Sequence, residues 1–270
     1  MKLVLDPRTD TLDRSPVRPR DLTDKLALIT GASVGIGLAT ARELGLRGAR
    51  VVAASLDEER IARVANDLTE AGVDAHGVAC DLARGDGAAR LFERVIGEYG
   101  PPDILVNCAA LRAKLPAIDV TDELWDRVLA VNLRAPVFLS ALACREMIKK
   151  RGGKIVNIVS ILESRAAPSR LPYAVSKAGL SAATRSLALE VAPYNIQVNA
   201  VAPGLVATPA LEPANETEAQ QLLKTISERI PAGRVATAAD VADLIGFLCS
   251  PNSDYITGQV YYIDGGMTLR

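Results

Sequence analysis

The sequence predicts one doubly wound α/β domain built on a seven-stranded parallel sheet, and three observations support this fold class. Short apolar, often β-branched runs alternate with longer amphipathic stretches from Lys25 to the end of the chain. The short runs are apolar almost throughout, which is typical of strands covered by helices on both faces. The 270 residues include 49% hydrophobic side chains, enough for one large core, and no linker or internal repeat divides them.

Seven strands and seven helices alternate in this pattern. The strands are predicted at Leu26–Thr30, Arg50–Ala54, Ala75–Cys80, Asp103–Asn107, Lys154–Val159, Gln197–Ala202 and Val260–Ile263. The helices are predicted at Gly35–Gly48, Asp57–Gly72, Asp86–Tyr99, Asp122–Arg151, Tyr173–Ala192, Asn215–Glu228 and Ala238–Ser250. Residues 22–270 form the predicted domain. Residues 1–21 are rich in proline and mixed charge without an apolar period, so we expect a flexible N-terminal arm there.

Composition argues against several classes of function. The 31 Lys and Arg balance 32 Asp and Glu, and the pI near 6.0 leaves no bulk field that attracts nucleic acid or an anionic membrane surface. No apolar run approaches the roughly 18 residues of a membrane span, and the first residues lack the apolar core of a signal peptide. We therefore expect a cytoplasmic protein with neither nucleic-acid nor membrane partners.

Cysteine and histidine usage narrows the chemistry further. The four cysteines are far apart without a CxxC pair, so they are interpreted as reduced, buried thiols. The single histidine, His76, argues against a metal site and against any mechanism that needs two imidazoles. If the protein is an enzyme, its acid and base are other side chains and no metal is expected.

A glycine-rich turn follows the first predicted strand. The segment Thr30–Gly37 reads TGASVGIG and opens directly into a helix. Glycines let the backbone approach a pyrophosphate, whose charge is met by free N–H groups and the positive end of the helix. Glycine also serves loops for steric reasons alone. The position after strand one, at the start of a βαβ pattern, favours dinucleotide binding.

Three further segments carry side chains suited to proton transfer. Tyr173 and Lys177 lie four residues apart on one face of a predicted helix, where a cation favours phenolate. Ser160 follows the strand that ends at Val159, so its hydroxyl lies at the carboxyl edge of the sheet; an ordinary strand-end serine is the alternative interpretation. Asn132 lies inside a predicted helix and means little by itself.

Together these segments resemble the short-chain dehydrogenase/reductase family, from about Leu22 to the last residues. The resemblance also rests on Cys80-Asp81-Leu82, on Asn107-Cys108-Ala109-Ala110 in place of Asn-Asn-Ala-Gly, on Pro203-Gly204 through Thr208, and on Thr257-Gly258-Gln259 with Asp264-Gly265-Gly266. It implies a single-domain Rossmann fold and an NAD(P)-dependent oxidoreductase similar to 3-oxoacyl-ACP reductases and to sugar or secondary-alcohol dehydrogenases.

The resemblance implies a catalytic tetrad of Asn132, Ser160, Tyr173 and Lys177. Tyr173 exchanges a proton with the substrate oxygen and Ser160 hydrogen-bonds that oxygen. Lys177 lowers the tyrosine pKa and reaches the nicotinamide ribose, and Asn132 holds a water. The implied cofactor-binding residues are Gly31, Ser33, Gly35, Ile36, Gly37, Ser55, Leu56, Asp81, Leu82, Asn107, Ala109, Tyr173, Lys177, Pro203, Gly204, Val206 and Thr208.

Departures from the family pattern affect the choice of cofactor. Ser55 stands where NAD-selective members carry an acid, while Leu56 and Val34 stand where a cation often marks NADP-selective members. Ser55 cannot repel a 2′-phosphate and its hydroxyl can donate to one. We expect both cofactors to be used, with NADP weakly favoured over NAD.

The substrate is expected to be a small carbonyl or alcohol compound bound by residues 161–172, 109–121 and 205–232. The last stretch is interpreted as a lid or as a solvated surface helix. Arg112, Lys114, Arg165 and Arg170 lie in the first two segments, either to attract an anionic substrate or as ordinary exposed charges. Excess apolar positions on the helices at 122–151 and 173–192 indicate a homotetramer or homodimer.

Other classes of function remain as alternatives. A dinucleotide-binding sensor or scaffold without catalysis is expected to lose a member of the tetrad, and all four are present. An epimerase or dehydratase acting on a nucleotide sugar needs a longer C-terminal substrate domain. A hydrolase needs a Gly-x-Ser-x-Gly elbow, which Ser160 lacks.

Overall fold

A seven-stranded parallel sheet forms the centre of the protein in a computed structural model that describes residues 20–207, 225 and 227–270. Its strands are β1 Leu26–Thr30, β2 Arg50–Ser55, β3 Ala75–Ala79, β4 Ile104–Asn107, β5 Gly153–Ile158, β6 Ile196–Pro203 and β9 Val260–Ile263. Two short strands outside this sheet are β7 Val206–Ala207 and β8 Ala236–Thr237. The central sheet has the order β3-β2-β1-β4-β5-β6-β9, and every neighbouring pair is parallel. The predicted fold class is confirmed.

Helices cover both faces of this sheet. They are α1 Gly35–Leu46, α2 Glu58–Glu70, α3 Gly87–Tyr99, α4 Asp122–Leu129, α5 Ala135–Lys150, α6 Leu171–Val191 and α7 Ala238–Leu248. The residues of α1, α2 and α7 pack with one core cluster, while those of α3, α5 and α6 pack with a second cluster on the opposite face. The predicted helix at Asn215–Glu228 lies mostly outside the described residues.

The strand order reverses between β1 and β4, the position at which doubly wound sheets bind ligands. The register aligns Thr30 with Asn107 and Asn107 with Asn157, so the carboxyl ends of β1, β4 and β5 lie side by side. The Thr30 hydroxyl accepts hydrogen bonds from the backbone N–H groups of Cys108 and Ala109, at 3.1 and 3.2 Å. These bonds hold the loop after β4 at the edge of the crevice.

A π-helical turn, Ala130–Arg134, separates α4 from α5. The prediction of one uninterrupted α-helix over Asp122–Arg151 is wrong at this turn. Pro136 is the physical reason, because it has no N–H to donate to the Asn132 carbonyl and its ring crowds the preceding turn. The extra residue in the turn directs Asn132 inward, where its side chain is fully buried.

Among the residues that the structure describes, one helix, the segment from α4 through α5, is both long and strongly apolar. Its 29 residues include an 18-residue window of mean hydropathy 1.4, so by length and composition alone this helix is able to cross a membrane. The sequence analysis did not find this window because Arg127, Asn132 and Arg134 interrupt the apolar run. Leu139 and Met147 show what the apolar residues do in this fold, since both are fully buried against the sheet.

The two short strands β7 and β8 pair with each other outside the main sheet, and the sequence analysis did not predict them. At the other end of the chain, most of the predicted arm lies outside the described residues. Asp21, which the prediction assigns to the arm, forms an ion pair with the Arg47 guanidinium at 2.5 Å. The neighbouring Leu22 is buried in the core, so the ordered domain includes both residues.

Candidate active site

Asn132, Ser160, Tyr173 and Lys177 meet at the carboxyl edge of β4 and β5. Ser160 follows β5, while Tyr173 and Lys177 lie on the first turns of α6. Asn132, on the π-helical turn, reaches the loop after β4. The structure therefore brings together, from three separate parts of the chain, the four residues of the tetrad that the resemblance implies.

Lys177 is almost completely buried and is directed at the end of β5. Its ammonium donates a hydrogen bond to the carbonyl oxygen of Ile158 at 2.6 Å and lies 5.7 Å from the centre of the Tyr173 ring. Only 1% of its surface is exposed, and burial lowers the pKa of Lys177 from 10.5 to about 8. The ammonium is thus held beside the phenol by a backbone carbonyl.

The pKa of the Tyr173 phenol is raised above its usual value, and burial is the main cause. The Arg112 guanidinium, a hydrogen bond with the Ser160 hydroxyl and the Arg170 guanidinium oppose that rise, in decreasing order of effect. The expectation that Lys177 lowers this pKa stays a prediction, and its ammonium lies 5.7 Å from the centre of the Tyr173 ring. At neutral pH the buried phenol therefore carries its proton.

Asn132 connects three elements through its side-chain amide. Its Oδ1 accepts a hydrogen bond from the Leu111 N–H at 2.7 Å, and its Nδ2 donates to the Leu111 carbonyl at 3.0 Å and to the Ser176 hydroxyl at 3.1 Å. Ser176 in turn donates to the Tyr173 carbonyl at 2.7 Å. The sequence analysis quoted Ser176 between Tyr173 and Lys177 without giving it a role. In the structure, Ser176 links Asn132 to α6, the helix that carries Tyr173 and Lys177.

Ser160 is 9% exposed and begins a short 3₁₀ turn. Its hydroxyl oxygen accepts a hydrogen bond from the Leu162 N–H at 3.2 Å and interacts with the phenol of Tyr173. The turn therefore fixes the hydroxyl beside the proton donor. A substrate oxygen that reaches Tyr173 also reaches Ser160.

The glycine-rich turn has the geometry that a dinucleotide pyrophosphate requires. Gly31 has φ +67°, and a Cβ on Gly37 would lie 2.2 Å from the Gly31 carbonyl oxygen, so only glycine permits this tight turn. Helix α1 then begins after Val34 without a side-chain cap and without an acidic residue in its first turn. Its free N–H groups and positive end are available to phosphate oxygens.

Other helices of the same sheet contrast with α1. Asp57 caps α2, Thr121 caps α4, and Thr237 forms a capping box at the start of α7. The helix that opens at Gly35, Ile36 and Gly37 lacks the side-chain cap that these three helices possess. Helices α3 and α6 also lack such a cap, but among α1, α3 and α6 only α1 follows the glycine-rich turn. The residues present fit a bound dinucleotide.

The end of β2 lies directly beside the glycine turn. The Ser55 hydroxyl donates to the Ser33 hydroxyl oxygen at 2.9 Å, which brings together two residues predicted to bind cofactor. Leu56 is 63% exposed. The Asp57 carboxylate accepts from the Arg60 N–H at 2.9 Å, so one of its oxygens is engaged in capping α2.

Two other predicted cofactor residues follow β3. The Asp81 carboxylate accepts from the Ala83 N–H at 2.9 Å and the residue is exposed, whereas the Leu82 side chain is buried. Asn107 and Ala109 lie at the end of β4. Asn107 donates to Asn157 at 2.8 Å, so its side chain supports the sheet from inside.

The remaining predicted cofactor residues follow β6. Gly204 donates its N–H to the Ile263 carbonyl at 3.0 Å, and it stands next to Pro203 at the end of the strand. Val206 is 4% exposed and packs in the core, so its backbone alone is left to meet a ligand. Thr208 lies outside the described residues.

Metal-binding and thiol chemistry have little support in the described part of the chain. It contains no group of three or more His, Cys, Asp or Glu side chains able to hold a metal ion. His76 lies in β3, with its Nε2 3.0 Å from the Asp74 carboxylate. All four cysteines are free; Cys144 and Cys249 are buried as predicted, while Cys80 and Cys108 are partly exposed.

The fold and this site define a nicotinamide-dependent oxidoreductase that acts on alcohol and carbonyl groups. A family model described as enoyl-(acyl carrier protein) reductase matches residues 31–268. The chain belongs to the short-chain dehydrogenase/reductase family.

Individual relatives agree with this assignment. Dehydrogenase/reductase SDR family member 4 of Sus scrofa is 35% identical over 94% of this chain and 90% of its own length. The 3-oxoacyl-(acyl-carrier-protein) reductase FabG of Aquifex aeolicus is 38% identical over 91% of this chain and 98% of its own length. A gluconate 5-dehydrogenase of Burkholderia cenocepacia, solved with NADP and tartrate, is 31% identical with a TM-score of 0.85, covering 94% of this chain and 99% of that one.

Proposed function

We propose that the protein interconverts a ketone and a secondary alcohol, with Tyr173 as the general acid and base. The observation that carries this proposal is the position of the Tyr173 phenol, which interacts with the Ser160 hydroxyl and lies beside the Lys177 ammonium. In the direction of reduction, the protonated phenol gives its proton to the substrate oxygen as negative charge develops there. Ser160 donates a hydrogen bond to the same oxygen.

Lys177 and Asn132 support this proton transfer. The ammonium beside the phenol stabilises the phenolate that remains after the proton has left. Asn132 holds the loop after β4 and, through Ser176, the backbone of Tyr173, so the phenol keeps its position. A water held at Asn132 as a path from Lys177 to solvent belongs to the same proposal.

The dinucleotide, when bound, supplies or accepts the hydride. The uncapped start of α1 would hold its pyrophosphate, and Ser33 with Ser55 would face its adenosine ribose. No acid stands at position 55 to repel a 2′-phosphate, which supports a weak preference for NADP over NAD. The Burkholderia cenocepacia relative, which was solved with NADP, is consistent with this preference.

The names of the relatives leave a range of substrates. One relative is named for a 3-oxoacyl group and another for gluconate, and both names fit a carbonyl or hydroxyl on a larger polar molecule. The segments expected to select the substrate are residues 109–121 and 161–172, which flank the tetrad. Residues 205–232, predicted to be either a lid or a solvated surface helix, lie mostly outside the described residues.

Assembly and location are part of the proposal. Phe138 on α5 is 55% exposed and Leu189 on α6 is 82% exposed, and such apolar residues on paired helices support a homodimer or homotetramer. The four free thiols support a cytoplasmic location. The N-terminal arm predicted at residues 1–21, of which Asp21 pairs with Arg47, is proposed not to be required for catalysis.

An absorbance assay of dinucleotide oxidation and reduction tests the reaction. Ketones and secondary alcohols of increasing size and polarity are offered with NADPH, NADH, NADP⁺ and NAD⁺ in turn. We expect turnover with at least one ketone–alcohol pair, and loss of that turnover in Tyr173→Phe. Dinucleotide binding without turnover on any pair would favour the alternative of a silent sensor and would contradict the proposed function.

A further inference from the structure

Four basic residues, Arg112, Lys114, Arg165 and Arg170, lie in the two segments that flank the tetrad. The structure distinguishes Arg112 from the other three. Arg165 donates from both terminal nitrogens to the carbonyls of Met267 and Arg270, each at 2.5 Å. Arg170 donates to the Ala113 carbonyl at 3.1 Å. These two guanidiniums fasten backbone segments together, so their hydrogen-bonding capacity is partly used within the chain.

Arg112 and Lys114 lie on the loop after β4 and are both exposed. Neither side chain has a hydrogen bond or ion pair with any of the residues that the structure describes. The two side chains differ in their effect on the pKa values of neighbouring groups. Arg112 lowers the pKa of Tyr173, Lys177 and Cys108, whereas Lys114 contributes to none of these shifts. Arg112 also directly follows Leu111, whose backbone Asn132 of the tetrad binds, so its place in the loop as well as its charge relates it to the catalytic site.

The backbone that carries Arg112 is held firmly on both sides. On one side, both backbone polar groups of Leu111 are bound by the amide of Asn132. On the other, the Leu115 N–H donates to the Ser169 carbonyl at 3.0 Å. The backbone at Arg112 is already ordered, whereas its guanidinium has no hydrogen bond within the described residues. Binding a ligand through this guanidinium therefore costs little backbone entropy.

We infer that Arg112 binds an anionic group of the substrate, a carboxylate or a phosphate, while the carbonyl of that substrate meets Tyr173 and Ser160. This inference rests on the proposed function, because it concerns the substrate of the same site. A guanidinium without an acidic partner matches two anionic oxygens with two parallel N–H groups. A carboxylate is the simpler partner for one such group, since a phosphate carries more charge than one arginine neutralises.

Matched substrates and matched variants test the inference. Acetoacetate and levulinate are compared with their neutral amides, and dihydroxyacetone phosphate with dihydroxyacetone, on the unmodified protein, Arg112→Gln, Arg112→Lys and Lys114→Gln. We expect Arg112→Gln to lower kcat/KM for the charged member about 10- to 100-fold, mainly through KM, and to change the neutral member less than about threefold. Arg112→Lys should restore part of the loss, and Lys114→Gln should behave as the unmodified protein.

Two further measurements distinguish a role of Arg112 in substrate binding from a role in cofactor binding. Fluorescence titration of the dinucleotide should give the same Kd for Arg112→Gln as for the unmodified protein, and a weakened Kd would overturn the inference by assigning Arg112 to the cofactor. Levulinate should raise the melting temperature more than its amide does, and Arg112→Gln should abolish that difference. Equal loss on charged and neutral substrates, or no difference in melting temperature, would also overturn it. Absence of turnover on every ketone contradicts the proposed function, while the melting experiment still decides the role of Arg112.

Discussion

Asn132 holds both backbone polar groups of Leu111, since its Oδ1 accepts from the Leu111 N–H at 2.7 Å and its Nδ2 donates to the Leu111 carbonyl at 3.0 Å. These two hydrogen bonds satisfy backbone groups in the loop after β4, as a neighbouring strand does for residues within a sheet. It depends on the π-helical turn that Pro136 imposes, because only there does the amide point into the crevice. One side chain therefore fixes the loop that carries Arg112.

Asn132→Ala should destabilise the protein and misplace this loop. Two partly buried backbone groups of Leu111 lose their partners, and about 1–3 kcal/mol for each fully buried unsatisfied group is the upper limit of the cost. We expect a lower denaturation midpoint together with a fall in kcat. Ser176→Ala is the matched control, because it breaks the link to α6 and leaves the Leu111 bonds intact. If Asn132→Ala changes stability no more than Ser176→Ala does, the amide does not anchor the loop.

Tyr173→Phe should reduce turnover by several hundred-fold or more, because it removes the proton donor, and general acid–base catalysis is worth about 10²–10⁴-fold. The dinucleotide Kd should stay nearly unchanged, since the glycine turn and α1 are untouched. Steady-state kinetics and a fluorescence titration measure the two effects. Tyr255→Phe, at a fully exposed tyrosine, is the control. Near-normal turnover in Tyr173→Phe would remove this residue from the mechanism.

Lys177→Met should stabilise the fold while it impairs catalysis. The pKa of Lys177 is lowered to about 8 in the folded protein because the ammonium is buried. A shift from 10.5 to about 8 corresponds to an upper limit of about 3 kcal/mol, and loss of the hydrogen bond to Ile158 reduces the gain. Urea denaturation at neutral pH measures the difference in the free energy of unfolding.

The pH dependence of that difference has a defined sign. Between pH 8 and 10.5 the unfolded chain binds more protons at Lys177 than the folded protein does, so the stability of the unmodified protein rises with pH across this window. The advantage of Lys177→Met is therefore full below pH 8 and disappears toward pH 10.5. Lys114→Met, at an exposed lysine, is the control. An advantage that is the same at all pH values would show that the buried charge is not its cause.

Ser55→Asp should shift the cofactor preference toward NAD, and Leu56→Arg should shift it toward NADP. An aspartate would repel the 2′-phosphate and accept from the ribose hydroxyls, whereas an arginine would bind that phosphate. The unmodified protein should use both cofactors, with NADP favoured within about tenfold in kcat/KM. A preference for NAD of more than about a hundredfold in the unmodified protein would place the selectivity in another group.

The exposed apolar residues of α5 and α6 should be covered in solution. Light scattering of the unmodified protein is expected to give two or four times the chain mass of 28.5 kDa. Introducing charge at two of these positions, with Phe138→Glu and Leu189→Glu together, should lower the mass to that of the single chain, because burying carboxylates in an apolar interface is costly. Ile118→Glu, at an exposed residue outside both helices, is the control. A mass of 28.5 kDa for the unmodified protein at micromolar concentration would contradict the prediction.

Local patterns in the sequence were enough to predict the framework. The seven central strands follow from runs of apolar residues, and the order of strands and helices follows from their alternation. The glycine turn was found because φ above zero and close backbone approach demand glycine at fixed spacing. Tyr173 and Lys177 were paired because residues four apart share a helix face. Each of these properties depends on neighbours within a few positions in the chain.

The tertiary structure alone decided which partners the site residues have. Asn132 lies 21 residues from Leu111 and 44 from Ser176, and Arg165 lies more than 100 residues from the Met267 carbonyl that it binds. No local spacing encodes such contacts, so the sequence grouped Arg112 with Arg165. The fold directs the Lys177 ammonium to the Ile158 carbonyl and leaves Arg112 without a partner among the described residues. Long-range packing places these charges, because the strand ends of a parallel sheet bring distant parts of the chain to one edge.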